Sequence, residues 1–399
     1  MQDLRALVLT HPPPLDPAWL AHEEAVGLRN PKPALSVTKR QPLYAAECRA
    51  RNAAMMAAGA RDHDLAQGVR VTRLTVASAV DGYAIPVLRY DALAGDEGEA
   101  AGDQEGGEVQ SRQRQEDGEK TEATSPGDME DGQTGSQNAQ QGDDVVLVYI
   151  HGGGLQVGEA DSEELTCRRL VKHFPFPLTT STRSSNNKNT GSCTRVQLYS
   201  IGYRLMPQVP AETCVADSES AFAWVRSTHP SARVVLVGSS SGGELAALVS
   251  QSQPPGCVAG VLLRCPVTAD APDHVPARLR AWHTSAGAAF ATALLGPFRR
   301  ERPRDGLARM PLECPVDELR ARRLPRTWVQ VCTNDVLFSD GLCYAQALRD
   351  AGVEVRMDVV SGWPHTFWLK APYLERALQA DEEMLRGLRW VLEGDVGMA

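Results

Sequence analysis

The stretch Val234-Val235-Leu236-Val237-Gly238-Ser239-Ser240-Ser241-Gly242-Gly243-Glu244-Leu245-Ala246-Ala247-Leu248 decides how this chain is read. Its first four residues are apolar and three are β-branched, which suits a strand covered on both faces. Glu244 to Leu248 are strong helix formers. Between them, Gly238, Ser240 and Gly242 satisfy G-x-S-x-G, in which small flanking residues let the backbone turn sharply and lift the central serine above a sheet. The spacing alone is weak evidence; strand, tight turn and helix in immediate succession give it its meaning. Three adjacent hydroxyls, Ser239, Ser240 and Ser241, leave the choice of reactive serine to that turn.

Working outward, Val145 to Ile150, Val196 to Ile201, Val258 to Cys265, Thr327 to Cys332 and Val353 to Val360 read as further buried strands, and Gly352 ends a helix before the last of them. Strands alternating with helices predict an α/β fold with a doubly wound, mostly parallel sheet. Val69 to Val76 and Tyr83 to Tyr90 flank Asp81-Gly82 and predict an antiparallel hairpin at its start. Asp161 with Glu164 predicts a capping box for the helix carrying Leu165, Leu170 and Val171. Val215, Phe222 and Val225 predict one apolar face on the helix after Pro207.

Composition narrows the function classes. With 399 residues, 42% of them hydrophobic, the chain can bury the core of one large α/β unit. A net charge of −9 and a pI near 5.6 offer no basic field for nucleic acid, and Arg299-Arg300-Glu301-Arg302 is short and interrupted. Nine cysteines without a C-x-x-C pair read as reduced thiols, suggesting neither a disulfide framework nor a metal site. The start of the chain lacks a basic segment followed by a long apolar run, and no 18-residue apolar stretch occurs, so a cytoplasmic location without a transmembrane segment is expected.

From Gly95 to Asp144 there are 15 acidic residues against three basic ones, a charge of 3 − 15 = −12, which leaves −9 + 12 = +3 for the remainder. Such a segment cannot bury enough apolar surface to fold, so residues 95–144 are expected to be a disordered insert. Residues 179–192, rich in Ser, Thr and Asn, read as a second loop insert. Helix-compatible pieces at Pro17 to Glu24 and Leu43 to Ala50 precede any strand. The expected division is an N-terminal cap segment over residues 1–66 and a catalytic domain over 67–399, with a further cap insertion over 270–310.

Five motifs then stand in order: His151-Gly152-Gly153-Gly154, Tyr203-Arg204-Leu205-Met206-Pro207, Gly238 to Gly243, Asp335-Val336-Leu337 and His365-Thr366-Phe367. On these the chain resembles the hormone-sensitive-lipase-like carboxylesterases, a group of α/β-hydrolases, over roughly residues 67 to 393 apart from the two inserts. The resemblance implies the α/β-hydrolase fold with a helical cap, Ser240 as nucleophile, His365 as base and Asp335 as the acid that orients it, in the chain order Ser, Asp, His. It also implies that backbone N–H groups of Gly152, Gly153 and Ser241 hold the oxyanion. Asp340 competes with Asp335 for the acid; Asp335 is preferred because it directly follows a strand. His151 is read as shaping its loop, Gly158, Tyr203 and Arg204 as architectural, and Glu244 as a solvated carboxylate in the first turn of its helix. The chain departs from the family in having Ser239 where an acidic residue is common, Ser241 where alanine is common, and a shortened segment after Pro207.

The implied activity is cleavage of carboxylic esters of a small or medium-sized substrate through an acyl-serine intermediate, with no metal or organic cofactor. Two alternatives stay open. One is lactone or thioester hydrolysis, or intramolecular acyl transfer, in secondary-metabolite tailoring; the other is a non-catalytic small-molecule-binding protein on the same fold. The expected partner is a small-molecule ester, and the sequence is silent on oligomeric state.

Overall fold

The computed structural model describes residues 2–31, 34–93, 144–174, 196–296 and 306–394. The acidic insert, apart from Asp144, the loop insert at 179–192 and residues 297–305 of the expected cap insertion lie outside them.

Eight strands form one sheet: β1 (Val69–Ala77), β2 (Ala84–Ala92), β3 (Val145–Ile150), β4 (Val196–Ile201), β5 (Arg233–Ser239), β6 (Gly260–Arg264), β7 (Thr327–Asn334) and β8 (Val355–Pro364). Their order is β1-β2-β4-β3-β5-β6-β7-β8. β1 pairs antiparallel with β2, and β2 with β4; every other neighbouring pair is parallel. The helices are α1 (Pro17–Ala25), α2 (Val37–Met56), α3 (Glu164–His173), α4 (Ala211–Thr228), α5 (Ser241–Ser252), α6 (Val316–Arg322), α7 (Phe338–Asp350), α8 (Phe367–Lys370) and α9 (Glu375–Glu393).

The apolar runs of β3 and β5 are explained by a core on each side of the sheet. Val146, Val148, Ile150, Val234 and Leu236 face one core, which receives Phe222 of α4, Leu245 of α5 and Leu342 of α7. Val145, Leu147, Tyr149, Val235 and Val237 face the other, which receives Leu170 of α3 and Leu388 of α9. Burying each such aliphatic side chain contributes roughly 1.5–3 kcal/mol, so a one-residue slip of a central strand would exchange every contact on both faces.

One local expectation is corrected. No capping box opens α3: the Asp161 carboxylate accepts instead from Arg49 of α2 at 3.1 Å, and the N-cap residue Glu163 makes no cap hydrogen bond. The expected apolar face of α4 is found: Cys214, Ala221, Phe222 and Val225 are buried, and the half-buried Val215 packs against the same core.

The N-terminal segment is tied to the carboxyl ends of the strands. Asn334 Nδ2 donates to the Pro13 carbonyl at 2.7 Å, Asp16 N donates to Gly362 O at 2.9 Å, and Trp19 of α1 is buried in a cluster with Trp363, Phe367 and Trp368. α2 follows along the loop after β3, where Gln41 Nε2 donates to Gln156 O at 2.9 Å and Asn52 Nδ2 to Asp161 O at 3.1 Å. Among the described residues, no helix is long and apolar enough to cross a membrane.

Candidate active site

β5 ends at Ser239 and α5 begins at Ser241, so Ser240 alone makes the turn, at φ 53 and ψ −122. A residue with a Cβ is strained there, by roughly 1–3 kcal/mol, and persists only where its surroundings over-determine it. They do so here. Ser240 N donates to Arg264 O at 2.8 Å, and Ser240 O accepts from Gly243 N at 3.0 Å. The glycines are demanded by space: a Cβ on Gly238 would stand 2.2 Å from Gly242 O, and one on Gly242 would stand 2.0 Å from Ile150 O.

Three side chains from three strand ends meet at this turn. His365, in the loop after β8, faces Ser240 Oγ with Nε2 at 2.9 Å and Asp335 Oδ2 with Nδ1 at 2.7 Å. Asp335 directly follows β7 and is fully buried, and its other oxygen accepts from Leu337 N at 2.9 Å. Burial acts against the imidazolium, but the charge and hydrogen bond of Asp335, with Cys265 adding to them, outweigh it and raise the His365 pKa to about 10. Asp340 is elsewhere. In the first turn of α7 it accepts from Thr268 N at 2.8 Å, Ala269 N at 2.9 Å and His283 Nε2 at 2.9 Å, fastening the loop after β6.

The loop after β3 is held from inside. His151 is fully buried and stacks on Tyr203 with ring centroids 4.4 Å apart; its Nδ1 contacts Gly152 O at 2.7 Å, and burial lowers its pKa. Gly158, at φ +110, packs against this ring, where a Cβ would come within 2.4 Å of Nδ1. Arg204 forks onto Asp217 through Nε at 2.9 Å and Nη2 at 2.8 Å. These residues form the frame of the site and do not face Ser240 Oγ.

Glu163, which the sequence reading missed, sits at the centre of that frame. Its buried carboxylate accepts from Gly152 N at 2.8 Å, Ser239 Oγ at 2.7 Å and Tyr149 OH at 2.5 Å. The expected oxyanion donor Gly152 is thereby corrected: its N–H is spent on Glu163. Among the described residues, no acceptor takes the N–H of Gly153, Gly154 or Ser241. Gly154 therefore replaces Gly152 as a candidate donor, beside Gly153 and Ser241. The Ser241 hydroxyl itself accepts from Leu155 N at 3.2 Å and steadies the same loop.

Glu244 is a second correction. It is completely buried, not solvated, because the first turn of α5 is covered by the loops after β3 and β6. A second omission is Cys265, which follows β6 at φ +44 and is buried against His365. Burial pushes its thiol pKa up, but contacts with Cys332 and His365 outweigh that and bring it down. The signal for Glu163 was present in the sequence only as a missing charge, the absent acid before the nucleophile.

A family model described as the alpha/beta hydrolase fold matches residues 181–369. The FAD-linked oxidoreductase pytB of Aspergillus terreus is 31% identical over 260 residues, 62% of this chain, but the chain spans only 29% of that protein's length. The versiconal hemiacetal acetate esterase of Aspergillus parasiticus is 26% identical over 242 residues, 56% of this chain and 67% of the relative. Among solved structures, a thermostable esterase from Pseudomonas putida superposes with a TM-score of 0.61 at 20% identity, covering 96% of this chain and 98% of that one; that likeness speaks for the fold.

Proposed function

We propose that this chain is an α/β-hydrolase of the carboxylesterase kind that cleaves carboxylic esters of small or medium-sized substrates through an acyl-serine intermediate. The observation that carries this reading is the hydrogen-bonded line from Ser240 Oγ through His365 to Asp335, at 2.9 and 2.7 Å. Ser240 Oγ attacks the ester carbonyl while His365 Nε2 takes its proton; Asp335 keeps the remaining proton on Nδ1 and stabilises the imidazolium. The oxyanion accepts from backbone N–H groups of Gly153, Gly154 and Ser241, each worth about 2.7–4 kcal/mol to the transition state. His365 then protonates the departing alcohol, and water, deprotonated by the same imidazole, releases the acid. Glu163 takes no part in proton transfer; it positions the loop and the turn on which these donors ride.

Residues 1–66 act as a cap over the strand ends, a reading supported by the contacts of α1 and α2 with the loops after β3 and β8. The substrate class finds support in a relative whose name specifies an acetate ester.

Labelling with a fluorophosphonate, peptide mapping of the adduct, and hydrolysis of p-nitrophenyl esters of graded acyl length test the reading together. The adduct is expected on Ser240, with Ser240→Ala abolishing both label and turnover and His365→Ala sharply slowing both. An adduct on Ser239 or Ser241 would move the nucleophile. No adduct and no turnover, where a control hydrolase reacts, would favour a binding protein on this fold.

A further inference from the structure

On the side of the imidazole away from the substrate lies a group that acyl transfer leaves unused. The Cys265 thiol, a carboxylate oxygen of Asp335 and a ring nitrogen of His365 lie within 4.8 Å of one another, and all three residues are buried. Cys332 of β7 packs beside Cys265, thiol against thiol. Cys265 holds its place through left-handed backbone, at φ +44, with its N–H donating to Gln330 O at 2.7 Å. Since Nδ1 is the nitrogen that faces Asp335, it is the one turned toward this set.

Thiolate, imidazole nitrogen and carboxylate oxygen are the donor types Zn²⁺ takes, at about 2.3, 2.0–2.1 and 2.0–2.2 Å in tetrahedral geometry. Donors at those lengths stand roughly 3.3–3.8 Å apart, so the set closes around an ion with side-chain shifts of about an ångström. We propose that Cys265, His365 Nδ1 and Asp335 form a three-ligand inhibitory site for Zn²⁺, its fourth position left to water. Entry is past the nucleophile, where Ser240 is half-buried and the His365 side chain keeps 9% of its surface exposed.

The balance of the step explains the inhibition. The Cys265 thiol gives its proton to water, and the imidazole proton moves from Nδ1 to Nε2 as Nδ1 binds the metal; no electron is transferred. With Nε2 protonated, His365 cannot accept the Ser240 proton, so one bound ion removes the base. This effect rests on the esterase reading above, whereas the binding itself does not.

Two titrations of the full chain test the proposal: ZnCl₂ during hydrolysis of a p-nitrophenyl ester, and CoCl₂ while the near-ultraviolet thiolate-to-cobalt charge-transfer absorption is recorded. Zinc is expected to inhibit stoichiometrically and reversibly with EDTA, and cobalt to produce the band. Measured against its own metal-free turnover, Cys265→Ala should need about tenfold or more zinc for half-inhibition and show no band; Cys332→Ala should shift less. Cys265→Ser makes the same comparison if the alanine variant does not fold. Equal zinc sensitivity in wild type and the Cys265 variant, or no band in the folded wild type, would overturn the site. A band in a chain that hydrolyses no ester would support the metal site while refuting the esterase reading.

Discussion

The carboxylate of Glu163 accepts the hydroxyl of Ser239 at 2.7 Å while its other bonds reach Gly152 and Tyr149, so one buried acid from the start of α3 grips both the loop after β3 and the turn carrying Ser240. The acid absent from the position before the nucleophile is supplied across the fold.

Replacing Glu163 with Ala removes the acceptor of all three hydrogen bonds, whereas Gln would keep them, because the Gly152 N–H and the Ser239 hydroxyl share one carboxylate oxygen and the Tyr149 hydroxyl at the other can turn to accept. With the Gly152 N–H and the Ser239 hydroxyl released, kcat is expected to fall on the order of 10²-fold with KM little changed, because misplacement of the oxyanion donors acts on the transition state. Ser239→Ala should lose less, since Glu163 keeps its other two partners. Steady-state kinetics of both variants, with near-UV circular dichroism to verify folding, make the check; an unchanged kcat in Glu163→Ala would exclude the positioning role.

Asp335→Asn and Asp340→Asn should fail in different ways. The former leaves His365 in the wrong tautomer and is expected to lower kcat by about 10⁴-fold with the melting temperature nearly kept. The latter loosens a buried carboxylate from Thr268, Ala269 and His283, costing about 1–3 kcal/mol of stability with a smaller effect on turnover. Activity assays beside urea denaturation separate them, and the reverse ranking of activities would reassign the acid.

The pH profile carries the sign of the His365 shift. Neutral imidazole is the form that accepts a proton, and the raised pKa delays its appearance from the ordinary 6.5 toward about 10. The rising limb of kcat/KM should therefore lie above 6.5, with activity still climbing into alkaline pH. Asp335→Asn should bring what limb remains downward, because burial then acts on the ring without the opposing carboxylate. A wild-type limb at or below 6.5 would contradict the assignment.

Gly242→Ala places a Cβ 2.0 Å from Ile150 O and 2.6 Å from His151 O, both backbone atoms that cannot rotate away. A loss of roughly 3 kcal/mol or more, or failure to fold, is expected. Gly256→Ala is the control: its φ is +83, unlike that of helical Gly242, but nothing lies within 4 Å of the new methyl, so only the left-handed strain of about 1–2 kcal/mol is felt. Denaturant midpoints for the two variants should differ accordingly.

What the sequence determined by itself was whatever ten or so neighbouring residues encode. The apolar runs of β3 and β5, the glycines bracketing Ser240 and the Asp81-Gly82 turn express sterics and periodicity that act within a few positions, so the strands and the turn that carries Ser240 were legible there. The contact between Asp335 and His365 was not, beyond a preference for the acid directly after a strand, because only the path of the β8 loop brings His365 to it. Nor was the burial of Glu244, the engagement of the Gly152 N–H, or the convergence of Cys265 with His365. Glu163 and Ser239 lie 76 positions apart, and Ser240 and His365 lie 125 apart. A carboxylate or thiol carries no mark of its partner in its own neighbourhood; the packing of distant strand ends decides which groups share a buried volume, and their chemistry follows from that.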